Sequence, residues 1–430
     1  MNRRWAALLL YDFLLVLVGL LLIPFAIFRA LRVPDFRRSL PGRLGFSPPL
    51  EAAEGRVLLH GVSVGEVKAL KPLVSELRRQ FPHRSLVISS STPTGLATAR
   101  QLFPDLPVVA YPLDLPGTCR RFLVRVRPSL VILAELEIWP NFLNACFRCD
   151  IKVSIVNGRI TDRSLAGYRR VQKWLPQFER ISLYGVQNHR YAERFSGLDV
   201  PNQRVVVTGN LKYDNLPTGE ENSQFSRSCW ARWDGNAAFV VWASTHEPEE
   251  TELLSQWLRY AEAKQAILVI VPRHPRRCSK LIPELKRLAA DIPCVALSEC
   301  ENQAELEKGS ILVVDAFGQL EMIYRIAQMA FVGGSLLEHG GQNVLEPAVF
   351  EVPVVVGPHT ENFLEEVAYL KEGCGLKEGM DSAEVVECLL SWLRQPDLAK
   401  QTGVNGAKAL ESQRGAAQST VLALRQADLL

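Results

Sequence analysis

Carboxylates stand at two corners in the first half of this chain, each where an apolar run gives way to a helical one. The first corner reads His60-Gly61-Val62-Ser63-Val64-Gly65-Glu66. Its glycines let backbone approach a substrate, and Glu66 is set to take a proton from an incoming hydroxyl. A glutamate in a first helical turn also simply stabilises the helix dipole. The second corner, Glu135-Leu136-Glu137-Ile138-Trp139-Pro140-Asn141, carries carboxylates at alternate positions, which share a direction at a strand's end. They suit the orienting of an acceptor sugar, or a salt bridge. Thr208-Gly209-Asn210-Leu211-Lys212-Tyr213-Asp214 offers Lys212 to neutralise a leaving phosphate. Arg159 and Arg163, in Asn157-Gly158-Arg159-Ile160-Thr161-Asp162-Arg163-Ser164, open a basic lip continued by Arg169, Arg170 and Lys173. Such a lip suits a phosphorylated lipid or an anionic membrane surface, and equally a solvated loop.

The second half supplies groups for a nucleotide. After the apolar run 329–332 comes Gly340-Gly341-Gln342-Asn343-Val344-Leu345-Glu346-Pro347-Ala348. Gly-rich backbone opening a helix makes a seat for a phosphate, and Glu346 lies where it can reach a ribose diol. The same residues read as an Asn N-cap with Glu in a capping box. Val271-Pro272-Arg273-His274-Pro275 offers Arg273 to a nucleotide or carboxylate, and Ala243-Ser244-Thr245-His246 supplies hydroxyl donors. Asp315-Ala316-Phe317-Gly318-Gln319-Leu320 forms a turn whose backbone can read a base. Each segment is weak alone. Together they put polar or Gly-rich residues at the carboxyl ends of several strands in both halves. Neither half carries G-x-G-x-x-G or G-x-x-x-x-G-K-[ST] after its first strand, which disfavours dinucleotide dehydrogenases and P-loop kinases.

The elements that must position these residues alternate. Strand-like runs at 56–60, 85–89, 106–110, 130–134, 152–156 and 185–187 are separated by amphipathic helical stretches such as 66–79. A second series follows at 239–243, 266–271, 311–314, 329–332 and 352–356, with a helix expected over 247–264. Near-continuous apolar strands between helices imply parallel sheet covered on both faces. The polar stretch 217–224 is the best linker. The expected fold is therefore α/β, with two Rossmann-like doubly wound domains facing a cleft. Residues 1–30 form an anchor helix, 31–216 the first domain and 217–430 the second.

Bulk properties narrow the setting. A 430-residue chain exceeds one core, and a net charge of +3 does not argue for nucleic acid as a partner. Nine scattered cysteines read as reduced thiols, and seven histidines without ligand spacing give no support to a protein-built metal site. Residues 5–28 are apolar apart from Asp12, Gly19 and Pro24, long enough to cross a hydrocarbon core of ~30 Å. Trp5 and Tyr11 suit one interface, and no small-residue cleavage site follows. Arg3 and Arg4 precede the segment, while Arg29, Arg32, Arg37, Arg38 and Arg43 follow it, which places the body on the cytoplasmic side. Asp12 is costly in mid-bilayer, so the segment either spans or lies shallow in the interface.

The ordered series Ser63-Val64-Gly65-Glu66, Glu137-Ile138-Trp139-Pro140-Asn141, Gly209-Asn210-Leu211-Lys212, Pro272-Arg273-His274-Pro275 and Gly341-Gln342-Asn343-Val344-Leu345-Glu346-Pro347-Ala348 resembles the 3-deoxy-D-manno-octulosonic acid (Kdo) transferases. The resemblance runs from the anchor to roughly residue 370. It implies the GT-B fold and transfer of Kdo from CMP-Kdo to a lipid A precursor, without a cofactor, at the cytoplasmic face of the bacterial inner membrane. By motif, Glu66 resembles the family's general base, Lys212 a position that stabilises the departing phosphate, and Glu137 a supporting carboxylate. Pro272, Arg273, Phe317, Gly318, Gln319, Leu320, Asn343, Val344, Leu345 and Glu346 resemble the CMP-binding segments. Arg159 and Arg163 are candidates for the lipid A phosphates. Gln319 stands where Glu is common, Gly158 where Ala is common and Pro248 where Gly is common.

Overall fold

A computed structural model describes the chain apart from residues 1, 2, 52, 54, 176, 218–224, 236 and 304, and apart from the side chains of 3–6 and 26. The expected linker therefore falls, from residue 218 on, outside the described residues, as does the side chain of Trp5. The chain divides into two units, Met1–Asn215 with Gln413–Leu430, and Leu216–Ser412.

The first unit is built on β1 (Val57–His60), β2 (Leu86–Ser90), β3 (Val108–Ala110), β4 (Leu130–Ala134), β5 (Lys152–Gly158), β6 (Leu183–Val186) and β7 (Val205–Val207). They pair in the order β3-β2-β1-β4-β5-β6-β7, every pair parallel. The period of two shows in the packing: Val57 and Leu59 enter one apolar cluster and Leu58 the other. Both faces are covered, as an all-parallel sheet requires.

The second unit repeats the plan with β8 (Ala238–Thr245), β9 (Ala266–Pro272), β10 (Cys294–Ala296), β11 (Ile311–Val313), β12 (Ala327–Val332), β13 (Val354–Val356) and β14 (Leu376–Glu378). Their order is β10-β11-β9-β8-β12-β13-β14, again parallel throughout. Val240 and Trp242 face one cluster, Phe239, Val241 and Ala243 the other. In each sheet the direction of winding reverses beside the first strand, between β1 and β4 and between β8 and β12. Adjacent loops part there and leave a crevice at the carboxyl ends.

The expected α/β class with two Rossmann-like units is thus present. Three strands went unread in the sequence: β7, β10 and β14, each three residues long and at a sheet edge. The expected helix over 247–264 is shorter, Glu249–Trp257, followed by a 3-10 turn at Ala261–Gln265.

One boundary differs from expectation. The second domain does not run to residue 430, because Gln413–Leu430 return to the first unit. The helix Ala416–Gln426 buries Val421 and Leu424 among Val57, Leu59, Val67 and Leu70. Its open amino end is capped from across the chain, Asp214 accepting from Gly415 N–H at 2.7 Å and from Ala417 N–H at 2.6 Å. Asp214→Ala should lower the stability of the first unit by about 1–2 kcal/mol in chemical denaturation and expose the last helix to limited proteolysis. An unchanged cleavage rate near residue 413 would show that apolar packing alone retains the helix.

Candidate active site

The helix Val64–Gln80 starts directly beyond β1, with Ser63 as its N-cap. Ser63 Oγ accepts from Glu66 N–H at 3.3 Å and donates to Glu66 Oε1 at 2.9 Å, while Val62 N–H donates to Glu66 Oε2 at 2.8 Å. The capping interaction is therefore present and also aims the carboxylate. Gly61 makes the corner possible, since a Cβ there would lie 3.0 Å from Val67 N and 3.1 Å from Glu66 Cβ. Burial pushes the Glu66 carboxyl above the ordinary range and the Glu135 charge adds to this, while the hydrogen bonds from Val62 and Ser63 oppose it.

The end of β4, across the crevice from β1, carries the second corner. Glu135 takes a left-handed conformation (φ 60°) and its N–H donates to Val156 O at 2.9 Å. Its carboxylate pairs with Arg159 Nε at 2.9 Å, which ties Arg159, still exposed, to this corner. Arg163 is exposed in the first turn of the helix Asp162–Gln172. Glu137 Oε2 accepts from the Trp139 indole at 2.8 Å. Burial raises the Glu137 carboxyl to about 7, with the charges of Glu66 and Glu135 adding and the indole hydrogen bond opposing. The charges of Glu66 and Glu135 thus raise Glu137, and that of Glu135 raises Glu66.

Two buried residues that sequence reasoning did not single out hold this corner. Asp114 accepts from Asn141 N–H at 3.1 Å and Phe142 N–H at 2.7 Å, capping the helix Pro140–Arg148 that follows Trp139. His60 is fully buried, stacked on Tyr111 at 3.8 Å, and burial lowers it to about 3, so it stays neutral. Only the acid-before-proline-helix spacing, Asp114 ahead of Leu115-Pro116, hinted at a polar role in the sequence, and it pointed to a nearer helix.

Lys212 is exposed on the short helix Leu211–Asp214 beyond the edge strand β7. That helix packs against Val64–Gln80, Leu211 burying beside Val67 and Leu70. Asn157, left-handed at the end of β5, fixes the segment by accepting from Leu211 N–H at 3.0 Å. Lys212 is thereby carried on an element that touches the Glu66 helix.

In the second unit, a missed residue organises the crevice. Glu249, fully buried in the first turn after β8, accepts from His246 N–H at 2.9 Å, Gly334 N–H at 2.8 Å, and Ser335 and Leu336 N–H each at 3.1 Å. Its place after the first strand matches that of Glu66 in the other sheet, a correspondence legible in the sequence once both strands are aligned. Its neighbour Glu250 is buried with Thr245 Oγ1 and Arg277 Nη1, each at 2.9 Å.

The predicted nucleotide segments lie at the carboxyl ends of β9, β11 and β12. Pro272 is buried and ends β9; Arg273 is exposed, its N–H donating to Thr245 O at 3.0 Å. Phe317 is 77% exposed and Gly318 has φ 77°, a turn that favours glycine. Gln319 Oε1 accepts from the Trp230 indole at 3.0 Å, a bond that fixes the residue by its carbonyl side. Leu320 opens the helix Leu320–Tyr324, which packs on Leu345–Val349, so these two predicted segments are brought together. The anion seat is narrower than expected. Asn343 Oδ1 accepts from Leu345 N–H at 3.1 Å, Asn343 Nδ2 donates to Glu346 Oε1 at 3.0 Å, and Gly341 N–H donates to Gly334 O at 2.7 Å. Val344 and Leu345 are buried, and the Leu345 amide is already taken by Asn343.

Residues 38–215 match the family model described as 3-Deoxy-D-manno-octulosonic-acid transferase (kdotransferase). A 3-deoxy-D-manno-octulosonic acid transferase of Haemophilus influenzae is 33% identical over 417 residues, 95% of this chain and 96% of that protein. One of Bordetella pertussis is 29% identical over 83% of each chain. The solved UDP-GlcNAc 2-epimerase from Neisseria meningitidis, bound to UDP-GlcNAc, aligns with a TM-score of 0.62 at 14% identity over 86% of this chain and all of that one. At that identity the likeness is one of fold.

The raised Glu137 carboxyl has a consequence for stability. Between the ordinary value of 4.5 and about 7 the folded chain keeps a proton that the unfolded chain has lost. Stability therefore falls as pH rises through this window, and the cost of the buried charge is fully present above it. Glu137→Gln should raise the unfolding midpoint relative to the parent at pH ~8 and change it little at pH ~4. Equal effects at both values in paired thermal scans would refute the shift.

Proposed function

The chain belongs to the Kdo transferase family of glycosyltransferases, and on that premise we propose that it moves Kdo from CMP-Kdo to a lipid A precursor with inversion. The observation that carries this reading is Glu66, aimed by Val62 and Ser63 at the point where β1 and β4 part, in a chain matching a Kdo transferase almost end to end.

A hydroxyl of the lipid A sugar attacks the anomeric carbon of Kdo and gives its proton to Glu66. The bond from that carbon to the phosphate oxygen breaks, and CMP leaves with the electron pair. Glu137, holding its proton to about 7, spares the crevice a further negative charge beside Glu66. Lys212 meets the charge on the departing phosphate. On the donor side, Pro272, Arg273, the turn Phe317-Gly318-Gln319-Leu320 and Asn343-Val344-Leu345-Glu346 bind the CMP moiety. Arg159, whose Nε is paired with Glu135, retains other N–H groups for a lipid A phosphate, and Arg163 adds a second cation.

The described residues include one helix long and apolar enough to cross a membrane, with the window Ala7–Phe25. We read it as attaching the chain to the bacterial inner membrane, with the body on the cytoplasmic side, next to an acceptor that stays in the bilayer.

Full-length enzyme incubated with a tetraacylated lipid A precursor and CMP-Kdo should yield lipid heavier by one or more Kdo units in mass spectrometry. Glu66→Gln should lower turnover by ~10²–10⁴-fold, and near-normal turnover would remove Glu66 from the base role. Lys212→Ala should depress kcat more than it raises the acceptor KM. Turnover with UDP-sugars in place of CMP-Kdo would overturn the donor assignment.

A further inference from the structure

The apolar helix Arg3–Arg32 is interrupted by polarity at one level only, Tyr11 and Asp12, and both side chains find partners on the first unit. Tyr11 OH donates to Asp114 Oδ2 at 2.9 Å, and Asn141 Nδ2 donates to Asp12 Oδ1 at 2.5 Å. Ala7, Leu8, Tyr11, Asp12 and Leu15 are half-buried, a stripe at helical spacing, while Leu10, Phe13, Leu17, Leu21 and Phe25 are exposed.

The other end of the helix returns to the same place. Chain direction changes at Val33, the helix Pro34–Arg43 follows, and Leu113 N–H donates to Arg43 O at 2.8 Å. Arg121 Nη2 donates to Leu44 O at 2.9 Å. The segment is thus fastened twice to adjoining residues of one loop, once through Asp114 near its start and once through Leu113 beyond its end.

We propose that this helix lies in the plane of one leaflet, on the same side of the bilayer as the first unit, held by the Tyr11–Asp114 and Asp12–Asn141 latch. The proposal rests on the reading that the helix binds a membrane at all. A spanning arrangement conflicts with the latch by length. Asp12 is about 20 Å along the axis from Phe25, so a helix that crossed would carry Asp12 deep into hydrocarbon. Asp114 and Asn141, with the polar backbone around them, would have to follow or lose their bonds, and folded loops do not enter the lipid core. In-plane, the exposed leucines and phenylalanines meet acyl chains while the latch side stays on protein. Arg29 and Arg32, the latter 4.3 Å from the Phe28 ring centroid, then face headgroups, which fits an anionic leaflet. Because Asp114 and Asn141 also fix the start of the helix behind Glu137, the latch brings the leaflet to the carboxyl edge of the first sheet.

The test uses the full chain with Asn2→Cys in sealed inner-membrane vesicles of both orientations and a membrane-impermeant maleimide. The exposed native Cys149 and Cys374 report the side of the body. The new cysteine should label from the same side as these two. Labelling only from the opposite side would overturn the in-plane arrangement while leaving membrane attachment intact. Recovery of the chain in the soluble fraction after a high-salt wash would instead overturn attachment itself. In the same background, Tyr11→Phe with Asp12→Leu should shift labelling toward the opposite side; unchanged labelling would remove the latch as the cause.

Discussion

Two parallel sheets covered on both faces leave polar chemistry nowhere but at the strand ends. Val57, Leu58 and Leu59 in β1 and residues 239–243 in β8 are wholly buried, so no side chain along those strands reaches a ligand. The reversal of winding beside each first strand then selects which ends are open. Glu66, Glu135 and Glu137 gather at one such point for this reason, though roughly 70 residues separate the corners in sequence. Their gathering is costly, because each carboxylate is partly desolvated beside two others. The proton held by Glu137 to about 7 is how that cost is contained near neutrality.

The two sheets use a carboxylate at the same position in opposite ways. A carboxylate offers about four lone-pair sites. Glu249 spends its capacity on four backbone N–H groups and so clamps the loop beyond β12 to the end of β8. Glu66 receives one N–H and one hydroxyl, which aim it and leave lone pairs open, as the proposed role as base requires. Equivalent placement therefore gives a fastener in one unit and a carboxylate with open lone pairs in the other, and the difference lies in how many amides face it. Gly333 shows how tight the clamp is: an added Cβ would come within 2.6 Å of Thr245 Cα and 2.8 Å of Glu249 Oε2.

What the sequence revealed and what it hid divide along the range of the interactions. Long apolar strands such as β4 and β9 were readable because burial on both faces demands unbroken apolar runs, and Glu66 because Ser63 caps it three residues away. The edge strands β7 and β14 carry too little apolar burial to show a pattern: β7 has no fully buried residue and β14 only Leu376. The placement of Gln413–Leu430 in the first unit depends on Asp214, about 200 positions earlier, and no local signal announces it. Asp114 is hidden for the same reason, since the helix it caps begins at Pro140. The Gly340-Gly341 segment was legible as special backbone, both glycines having positive φ, but not as one in which the Gly341 amide was already engaged.

Asp114 joins the two ends of this account. It accepts from Tyr11 on the apolar helix and from the amides that open the helix behind Glu137, so the apolar helix and the Glu137 corner share one buried carboxyl. Burial already raises the carboxyls of Asp114, Glu66 and Glu137. Under the in-plane arrangement proposed above, a leaflet against this edge would replace water with a medium of low dielectric and would move the Glu66 and Glu137 carboxyls further in the direction burial takes them. In that setting Glu66 would become a stronger base and Glu137 a firmer holder of its proton. Bilayer contact and the proposed division of labour between the two carboxylates would then be parts of one electrostatic arrangement.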